Sequence, residues 1–513
     1  MKSTKTVKAS KKSETKAEKS TSKRSLSLLS QELKNFGLDS IDIEKILKTA
    51  LARGGALAEL FFEETRSSRV IIESGKIDKI IDGIDRGVGM RVIFDHRIVY
   101  GYTTDLVQDS LLELAKTLAA AVVAEKSPKG GFKKVVEWVK ARQPAKEILE
   151  YKVKKSPRDI DLSKKIELAL RAEKAARAEL SDARQVTSVV LDSLRKILVI
   201  NSDGLISPDS KTYLQAYVEV VGEKNGRVET SYESDGGYVG LEFFDETTPE
   251  SIGQEAARRV KVLLHAKPAP AGTMAVVISS EAGGTMIHEA VGHGLEADLA
   301  CNGLSVYQGK IGKSVASSLI TVLDDGTMPK KRGSYAFDDE GTAAQKNVLI
   351  ENGVLKGYMV DRLSAMKFDL MATGNGRRES FRHKPIVRMT NTYIAPGKHN
   401  PDEILKSTAQ GVFVKAMGGG QVNTVTGDFV FAVTEGYLIE NGKLGAPIRG
   451  ATLVGNGPKV LSIVDRVGND LGFSTGTCGK DGQGAPVTDA QPTLRIPELT
   501  VGGEVPMGTY WKS

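Results

Sequence analysis

The sequence predicts an α+β protein, with an N-terminal domain of antiparallel sheet plus helices and a C-terminal domain that is rich in strands. In the first half, helical apolar periodicity alternates with short runs of β-branched and aromatic residues. In the second half, turns such as Asp325-Gly326 and Asn441-Gly442 separate short apolar runs. The length of 513 residues suits two or three domains. We therefore expect an N-terminal α+β domain over residues 40–240 and a C-terminal domain over residues 241–513.

The elements of the first half follow from these patterns. Helices are predicted where apolar residues recur at helical spacing, over residues 40–53, from Thr104 or Asp105 to about residue 125, and over residues 162–179 and 249–265. Strands are predicted where β-branched and aromatic residues cluster between turn residues, over residues 58–64, 68–73, 76–81, 87–94, 97–102, 186–192, 196–200, 213–221 and 227–232. The dipeptide Asn225-Gly226 indicates a hairpin turn, and residues 267–272 are typical of a linker.

The composition is that of a soluble globular protein, with 40% hydrophobic and 26% charged residues. The apolar runs are too short to span a bilayer, so we expect no membrane partner. The first residues lack the apolar core of a secretory signal, so we expect a cytoplasmic location. Two cysteines, Cys301 and Cys478, do not make a disulfide framework.

The formal net charge of +7 belongs to the N-terminal tail. Residues 1–25 contain nine Lys or Arg and two Glu, whereas the remaining residues contain 62 basic and 62 acidic side chains. We expect this Lys-, Ser- and Thr-rich tail to be disordered. Such a tail is able to touch nucleic acid or another acidic surface, although a solvated extension without a partner is the simpler interpretation. The folded body gives no charge argument for nucleic-acid binding.

The most informative stretch, residues 279–294, holds two of the six histidines of the chain. A predicted strand over residues 274–279 leads into it, and Ser280 is the predicted N-cap of the turn that follows. A carboxylate, Glu289, stands beside the first histidine, His288, and His293 follows. Two histidines and a glutamate on one short element are typical of a zinc site with an adjacent base.

The spacing of the two histidines is unusual for such a site. Residues four apart on an α-helix are offset by about 40°, whereas His288 and His293 are five apart and would be offset by about 140°. A π-bulge would bring both rings onto one face, and an early end of the helix is the alternative. Gly292 and Gly294 favour either distortion. The motif alone is also compatible with two ordinary histidines on an irregular turn.

A zinc site with two histidines needs at least one further protein ligand. The candidates are Cys478, Cys301, His383, Glu296 and Asp298. Cys478 is favoured because it lies in a polar, glycine-rich stretch that we expect to be a loop, where Lys480 would favour its thiolate. Cys301 is more typical of a small core or surface residue, and the two carboxylates are more typical of a solvated helix end.

Two polar stretches, residues 373–383 and 417–428, are candidates for lining a cleft. Their backbone groups would be available to an extended peptide, although both stretches are also typical of surface loops. The run Gly418-Gly419-Gly420 has neither the spacing of a dinucleotide-binding loop nor the lysine of a phosphate-binding loop.

Four of these stretches together resemble a known family. Residues 281–298, 373–392, 418–436 and 476–483 are similar to the TldD/PmbA metalloprotease family, whose members are also called modulators of DNA gyrase. Residues 58–106 resemble the first domain of that family. The resemblance runs from about residue 40 to the C-terminus, and the basic tail is not part of it.

The resemblance implies a zinc peptidase whose C-terminal domain, residues 241–513, carries the metal on a short zinc-binding helix. On this chain the implied ligands are His288, His293 and Cys478, and the implied catalytic carboxylate is Glu289. The family implies unfolded or leader-type peptides as substrates. It also implies pairing with a related TldE/PmbA-like subunit that lacks the zinc motif, so that this chain would be the catalytic subunit of a heterodimer; a homodimer is the alternative.

Zinc would polarise the scissile carbonyl, and Glu289 would carry the proton from water to the leaving amine. The candidates for substrate binding, taken from the two polar stretches, are Arg378, Arg382, His383, Gly419 and Gly420. One rival is a non-catalytic, gyrase-modulating interaction protein with a structural zinc, which would require four protein ligands. A second rival is a nucleic-acid-binding protein that acts through its basic tail.

Overall fold

The computed structural model describes residues 27, 29–122, 139–140 and 151–511. The predicted disordered tail, residues 1–25, lies outside the described residues, and so does the predicted helix end near residue 125. Within the described part, helices pack on mixed sheets and the C-terminal region is rich in strands, so the predicted α+β class is confirmed.

A seven-stranded sheet forms the N-terminal part, in the order β3-β2-β1-β5-β6-β4 with β7 also paired to β6. Its strands are β1 (Leu57–Glu73), β2 (Lys76–Phe94), β3 (Arg97–Thr103), β4 (Val139–Lys140), β5 (Gln185–Asn201), β6 (Leu205–Lys224) and β7 (Arg227–Gly237). The predicted breaks within β1, β2 and β5 are wrong, because β1 bonds to a neighbour on each side along nearly its whole length. The predicted hairpin turn at Asn225-Gly226 is confirmed.

Four of the described helices pack on one face of this sheet. They are α1 (Ile43–Ala50), α2 (Gln108–Ala121), α3 (Leu162–Glu179) and α4 (Pro249–His265). The predicted bounds of α3 and α4 are confirmed, and the side chains of their N-caps, Asp161 and Thr248, accept backbone N–H bonds. The predicted cap of α2 at Thr104 or Asp105 is wrong, because Val107 holds that position without a side-chain bond.

The helices occupy the two ends of the sheet face. Helices α1 and α2 cover Leu60 and Phe62 of β1, whereas α3 and α4 cover Val70 and Ile72 of the same strand. All four side chains are at even positions and therefore point to one face. Helix α4 follows the predicted domain boundary at residue 240, yet it packs on β6 and β7 of the N-terminal sheet.

A nine-stranded sheet forms the base of the C-terminal part. Its strands are β8 (Lys267–Pro268), β9 (Pro270–Ile278), β16 (Gln410–Val422), β17 (Asp428–Glu440), β18 (Lys443–Arg449), β19 (Thr452–Asn456), β20 (Arg466–Val467), β23 (Leu494–Gly502) and β24 (Val505–Pro506). Strands β16, β9, β23, β19 and β17 close into a ring, because β16 also pairs with β17. The predicted linker over residues 267–272 is wrong, since β8 and the start of β9 occupy it.

A six-stranded sheet packs beside this ring, in the order β12-β11-β10-β15-β22-β21. Its strands are β10 (Val322–Asp325), β11 (Lys346–Glu351), β12 (Val354–Leu355), β15 (Asn391–Ile394), β21 (Gly472–Lys480) and β22 (Gln483–Gln491). The small pair β13 (Gly376–Arg377) and β14 (Ile386–Val387) stands apart from it. Strand β21 ends the order, so one of its edges is not paired within the sheet.

Short helices connect these strands. They are the turn at Thr285–Leu295 described below, α5 (Ala297–Ala300), α6 (Arg362–Phe368), α7 (Pro401–Lys406), α8 (Gly457–Ile463), and the 3-10 turns Leu241–Asp245, Ser280–Ala282 and Met507–Thr509. In the part of the chain that the structure describes, no helix has the length and apolarity needed to cross a membrane.

The segment 376–383 joins the two parts of the chain. Phe381 is fully buried against Phe61, Ile197 and Val199, on the sheet face opposite the helices. The Tyr100 hydroxyl donates to the backbone oxygen of Phe381 at 2.6 Å. This predicted cleft segment therefore packs between the domains, which fixes the N-terminal sheet against the C-terminal part.

Candidate metal centre

An irregular helical turn carries the two histidines. It follows β9, and the side chain of Ser279, rather than the predicted Ser280, accepts the first free backbone N–H bond, from Glu281. One α-turn over Thr285–Ile287 continues as a π-turn over His288–Gly292 and ends as a 3-10 turn over His293–Leu295.

The π-turn is the first of the two distortions that the histidine spacing predicts. The N–H of His293 donates to the backbone oxygen of His288, which is the five-residue step of a π-helix. The extra residue in the turn brings the side chains of His288 and His293 onto the same face of the helix. The imidazole ring centres are 5.1 Å apart, and the ring planes are nearly perpendicular at 87°.

Close packing around the turn requires its glycines. A Cβ at Gly292 would lie 2.0 Å from the Met389 sulfur, and one at Gly294 would lie 2.7 Å from the Tyr307 ring. Neither contact is tolerated by real side chains, so any larger residue would push the turn away from its neighbours. The glycines that flank His293 thus allow the turn to pack closely against Met389 and Tyr307, in addition to making its backbone flexible.

The third donor, Cys478, comes from β21 and is buried, with 4% of its surface exposed. Its Sγ lies 3.5 Å from Nε2 of His293. The predicted loop at this position is wrong, because β21 pairs with β22 from Gly472 to Lys480 in spite of its glycines. The ligand atoms of His288, His293 and Cys478 all lie within 4.8 Å of one another.

Two buried carboxylates orient the histidine rings. Nδ1 of His288 is 2.7 Å from Oδ1 of Asp489, and Nδ1 of His293 is 3.0 Å from Oε2 of Glu296. When each Nδ1–H donates to its carboxylate, each Nε2 keeps a lone pair directed at the cluster. Lys480 in turn contacts Glu296 at 3.0 Å and Asp298 at 2.7 Å.

This second layer differs from what the sequence predicted. Glu296 is fully buried, and Asp298 is an ion-pair partner, so neither is a solvated helix-end residue. Lys480 pairs with these carboxylates instead of the Cys478 thiol. Asp489 was not among the predicted site residues, because it lies 201 positions from His288 and has no local pattern of its own.

The electrostatics of the cluster favour an ionised thiol. Burial opposes ionisation of Cys478, but the imidazoles of His288 and His293 outweigh it and lower the pKa of the thiol to about 4. Burial likewise disfavours a charged His293, but Glu296 and Cys478 outweigh it and raise its pKa to about 10. Lys480 and His293 overcome the burial of Glu296 and lower its pKa to about 2.

The donor set fits a zinc ion. With Zn–N bonds of about 2.0–2.1 Å and a Zn–S bond of about 2.3 Å, two ligand atoms on a tetrahedral ion lie about 3.3–3.6 Å apart. The 3.5 Å between Cys478 Sγ and His293 Nε2 matches this separation. Among the described residues, this is the one cluster of three metal-ligating side chains. One imidazole–carboxylate pair behind each histidine is the usual support of a zinc ligand.

His288 and Cys478 of the cluster line a cleft of about 480 Å³. Three strands supply most of its walls, namely β7 at residues 230–234, β16 at residues 416–419 and β21 at residues 474–479. Glu289, which is half-buried, faces the same cleft beside His288. Burial raises the pKa of the Glu289 carboxyl more strongly than the two histidines lower it.

Of the predicted substrate-binding residues, the structure brings only Gly419 to the cleft lining. Gly420 instead pairs with Phe431 of β17. Arg378 is buried against the N-terminal domain, where its guanidinium lies 2.8 Å from Glu59. Arg382 pairs with Asp85 at the surface, and Nδ1 of His383 lies 3.0 Å from the Ser380 hydroxyl.

Arg378 and Arg382 therefore serve an interdomain contact, whereas His383 contacts Ser380 of its own segment. The remaining candidate ligand, Cys301, is partly buried against the C-terminal core and lies outside the metal-ligating cluster.

Comparison with known proteins places the whole chain in one family. The model of the PmbA/TldA metallopeptidase domain 1 matches residues 58–122, that of the central domain matches residues 155–264, and that of the C-terminal domain matches residues 271–503. These matches define the chain as a protein of the PmbA/TldD metallopeptidase class. The chain belongs to this family, as the resemblance of its motifs predicted.

Similar proteins within the family carry the name TldD. A metalloprotease TldD homologue of Haemophilus influenzae is 37% identical over 457 residues, which cover 87% of this chain and 92% of the relative. A zinc metalloprotease TldD homologue of Saccharolobus solfataricus is 32% identical, over 52% of this chain and 59% of the relative. The crystal structure of TldE from Thermococcus kodakarensis has the same fold, with a TM-score of 0.69, 20% identity, and coverage of 90% of this chain and 100% of that chain.

Replacing Cys478 tests the donor set. Cys478→Ala removes the sulfur ligand, and we expect it to lower the zinc content of the purified chain from about one ion to near zero. Zinc is measured by elemental analysis against protein concentration. Cys301→Ala removes the other thiol and should keep its zinc. Full zinc occupancy of Cys478→Ala would show that this thiol is not a ligand.

Replacing Asp489 tests the orientation of His288. Asp489→Asn keeps the shape but removes the charge behind the imidazole, and we expect zinc affinity to fall by about 10–100-fold. The affinity is measured by competition with a chelator of known strength. The matched control is Asp481→Asn, at the exposed β21–β22 turn. Equal affinities of both variants and the wild type would contradict the assigned role of Asp489.

Proposed function

We propose that this chain is a zinc-dependent peptidase that hydrolyses peptide bonds of unfolded or leader-type peptides. The observation that carries the proposal is the convergence of two imidazoles and a thiol within 4.8 Å of one another, in a cleft that Glu289 also faces. Names of relatives such as metalloprotease and zinc metalloprotease support the same activity.

Glu289 is the proposed base. It follows His288 directly, and its carboxyl faces the cleft, so it stands beside any group held by the cluster. A zinc ion bound there supplies a Lewis acid that polarises a carbonyl oxygen and activates water. Glu289 takes a proton from the attacking water and gives it to the nitrogen of the leaving amine.

An open coordination position favours catalysis over a structural metal. A structural zinc is closed by four protein ligands, whereas a catalytic zinc keeps a position for water or substrate. Three donors converge among the described residues, and the cleft reaches them. The rival function, a gyrase-modulating binding protein with a structural zinc, would leave Glu289 without a role. A Thermotoga maritima protein of this fold is named for a proposed role as a modulator of DNA gyrase.

The walls of the cleft favour an extended substrate. The outer edge of β21 is not paired within its sheet, and the pairing of β16 with β17 is irregular between Met417 and Gly420. Unpaired backbone groups of this kind bind an extended peptide through main-chain hydrogen bonds, with little demand on its sequence. Unfolded and leader-type peptides present such backbone, whereas folded proteins do not.

The proposed assembly is a heterodimer in which this chain is the catalytic subunit. The chain keeps the complete His-Glu-x-x-x-His motif at residues 288–293 and the distant cysteine. The partner would be a TldE/PmbA-like subunit, and the fold shared with a TldE of Thermococcus kodakarensis supports a related partner chain. The cytoplasmic location stays a prediction.

Replacing Glu289 separates catalysis from metal binding. Glu289→Gln keeps the size of the side chain but removes the base, so hydrolysis of an unfolded peptide should fall by about 10²–10⁴-fold. Because Glu289 is not a ligand, we expect about one zinc ion per chain to remain. Both quantities are measured with the chain alone and with a TldE-like partner.

Glu498→Gln, on the exposed side of β23, is the control for loss of one carboxylate and should keep full activity. Undiminished hydrolysis by Glu289→Gln would exclude Glu289 as the base. Hydrolysis by neither the wild type nor the variant, with zinc bound and the partner present, would favour the structural-zinc alternative.

A further inference from the structure

A second cavity, of about 810 Å³, lies in the N-terminal domain and is lined by residues other than those of the metal centre. It occupies the gap between the two helix pairs that cover the sheet. Along β1, the apolar residues under α1 and α2 end at Phe62, and those under α3 begin again at Val70. The even positions between them are Glu64, Arg66 and Ser68, so β1 is polar in the gap. Ile84 of β2 and Leu194 of β5 lie on either side of Arg66 and add apolar surface to the floor.

The neighbouring strands also add charged residues to this floor. Ser68 lies opposite Asp82 of β2 and Asp192 of β5, and Glu64 lies opposite Lys196 of β5. Residues directly opposite each other in antiparallel strands point to the same face. The floor is therefore built from three adjacent strands that bond along their whole length here, and it is rigid.

Cations from four elements line the cavity. They are Arg66 of β1, Lys196 of β5, Lys165 of α3 and Arg158 of the segment ahead of α3. Only two carboxylates, Asp82 and Asp159, share the lining. Two further carboxylates lie behind the lining, where Glu64 pairs with Arg66, and Asp192 pairs with Lys165 and Arg158. The four cations are therefore balanced by four carboxylates, and what distinguishes the cavity is the donors that these pairs leave free.

One of these cations is held in place by buried partners. Lys165 is 4% exposed, and its Nζ lies 2.6 Å from the Ser68 hydroxyl and 2.5 Å from Asp192. Ser68 also donates to Asp192. Two of the three N–H groups of the ammonium are engaged, which fixes its position at the cavity wall. A buried ammonium with two fixed partners is preorganised to bind a further acceptor.

The other cations retain free donors. Among the described residues, Lys196 has no ion-pair partner, and Arg66 uses Nε for Glu64, which leaves its terminal nitrogens unpaired. Arg158 is shared between Asp82 at 3.2 Å and Asp192 at 3.5 Å. We propose that this cavity is a second ligand site, which binds a small dianion through Lys196, Arg66 and Lys165. Its ligand is a compound with a phosphate group or with two carboxylates, because both present several acceptor oxygens to donors on different walls of the cavity.

The test uses the full-length, zinc-loaded chain, with inorganic phosphate and succinate as separate probes in isothermal titration calorimetry at low salt. We expect one site per chain, and we expect each bound probe to compete with the other. The relative affinities show whether the phosphate or the dicarboxylate chemistry is preferred. Binding should be unchanged in Cys478→Ala, because the cavity is separate from the metal centre.

The variant Arg66→Gln/Lys196→Gln removes two partly exposed cations and should weaken binding at least tenfold. Lys76→Gln/Lys79→Gln, which removes the same charge from exposed positions of β2 outside the cavity, is the matched control and should bind as the wild type does. Lys196→Glu alone is a second variant that should also lose binding.

The proposal is overturned if neither probe binds, if the control double variant weakens binding as much as the cavity variant, or if Cys478→Ala abolishes it. Binding of an acidic polypeptide without binding of either small probe would likewise contradict a small-molecule site.

Discussion

The π-turn at residues 288–292 is the constraint on which the functional site depends. Two imidazoles five residues apart reach one point here because the helix holds an extra residue in that turn. The distortion brings the turn within contact distance of Met389 and Tyr307, so a side chain at position 292 or 294 would displace one of these neighbours. It also points the rings at Cys478, which β21 delivers from 185 positions further along the chain. The sheets of the C-terminal part thus hold the histidine turn against strand β21, which carries Cys478.

The charges behind the ligands complete this arrangement. A thiolate, Asp489, Glu296 and Asp298 lie close together, and Lys480 pairs with the last two. Burying so much negative charge is unfavourable unless cations balance it. Without a metal ion the histidines supply the balance by holding protons, which is the physical origin of the raised pKa of His293. A divalent cation replaces those protons, so metal affinity should rise with pH. The same negative charge that stabilises the ion keeps both Nε2 atoms directed towards it.

The sequence predicts the elements that depend on local pattern. Helices α3 and α4 have the expected bounds because their apolar periodicity and their caps are adjacent in the chain. The continuous strand β1 was not predictable, because its middle is polar and is held by two neighbouring strands. Residues whose partners are distant in sequence gave no local signal. Asp489 belongs to no motif, and Arg378, which was predicted to bind substrate, instead pairs with Glu59 across the domain interface. The glycines around Cys478 predicted a loop, but this stretch is a strand because it pairs with β22.

The central claim is that zinc is held by two histidines and one cysteine, with a fourth position left open. X-ray absorption spectroscopy at the zinc edge, on the full-length chain, tests it most directly. We expect one sulfur at about 2.3 Å, two imidazole nitrogens at about 2.0–2.1 Å, and one further light atom that does not belong to an imidazole. A second sulfur, a third imidazole or the absence of sulfur would contradict it. The first two results would describe a closed structural site, and the third would remove Cys478 from the centre.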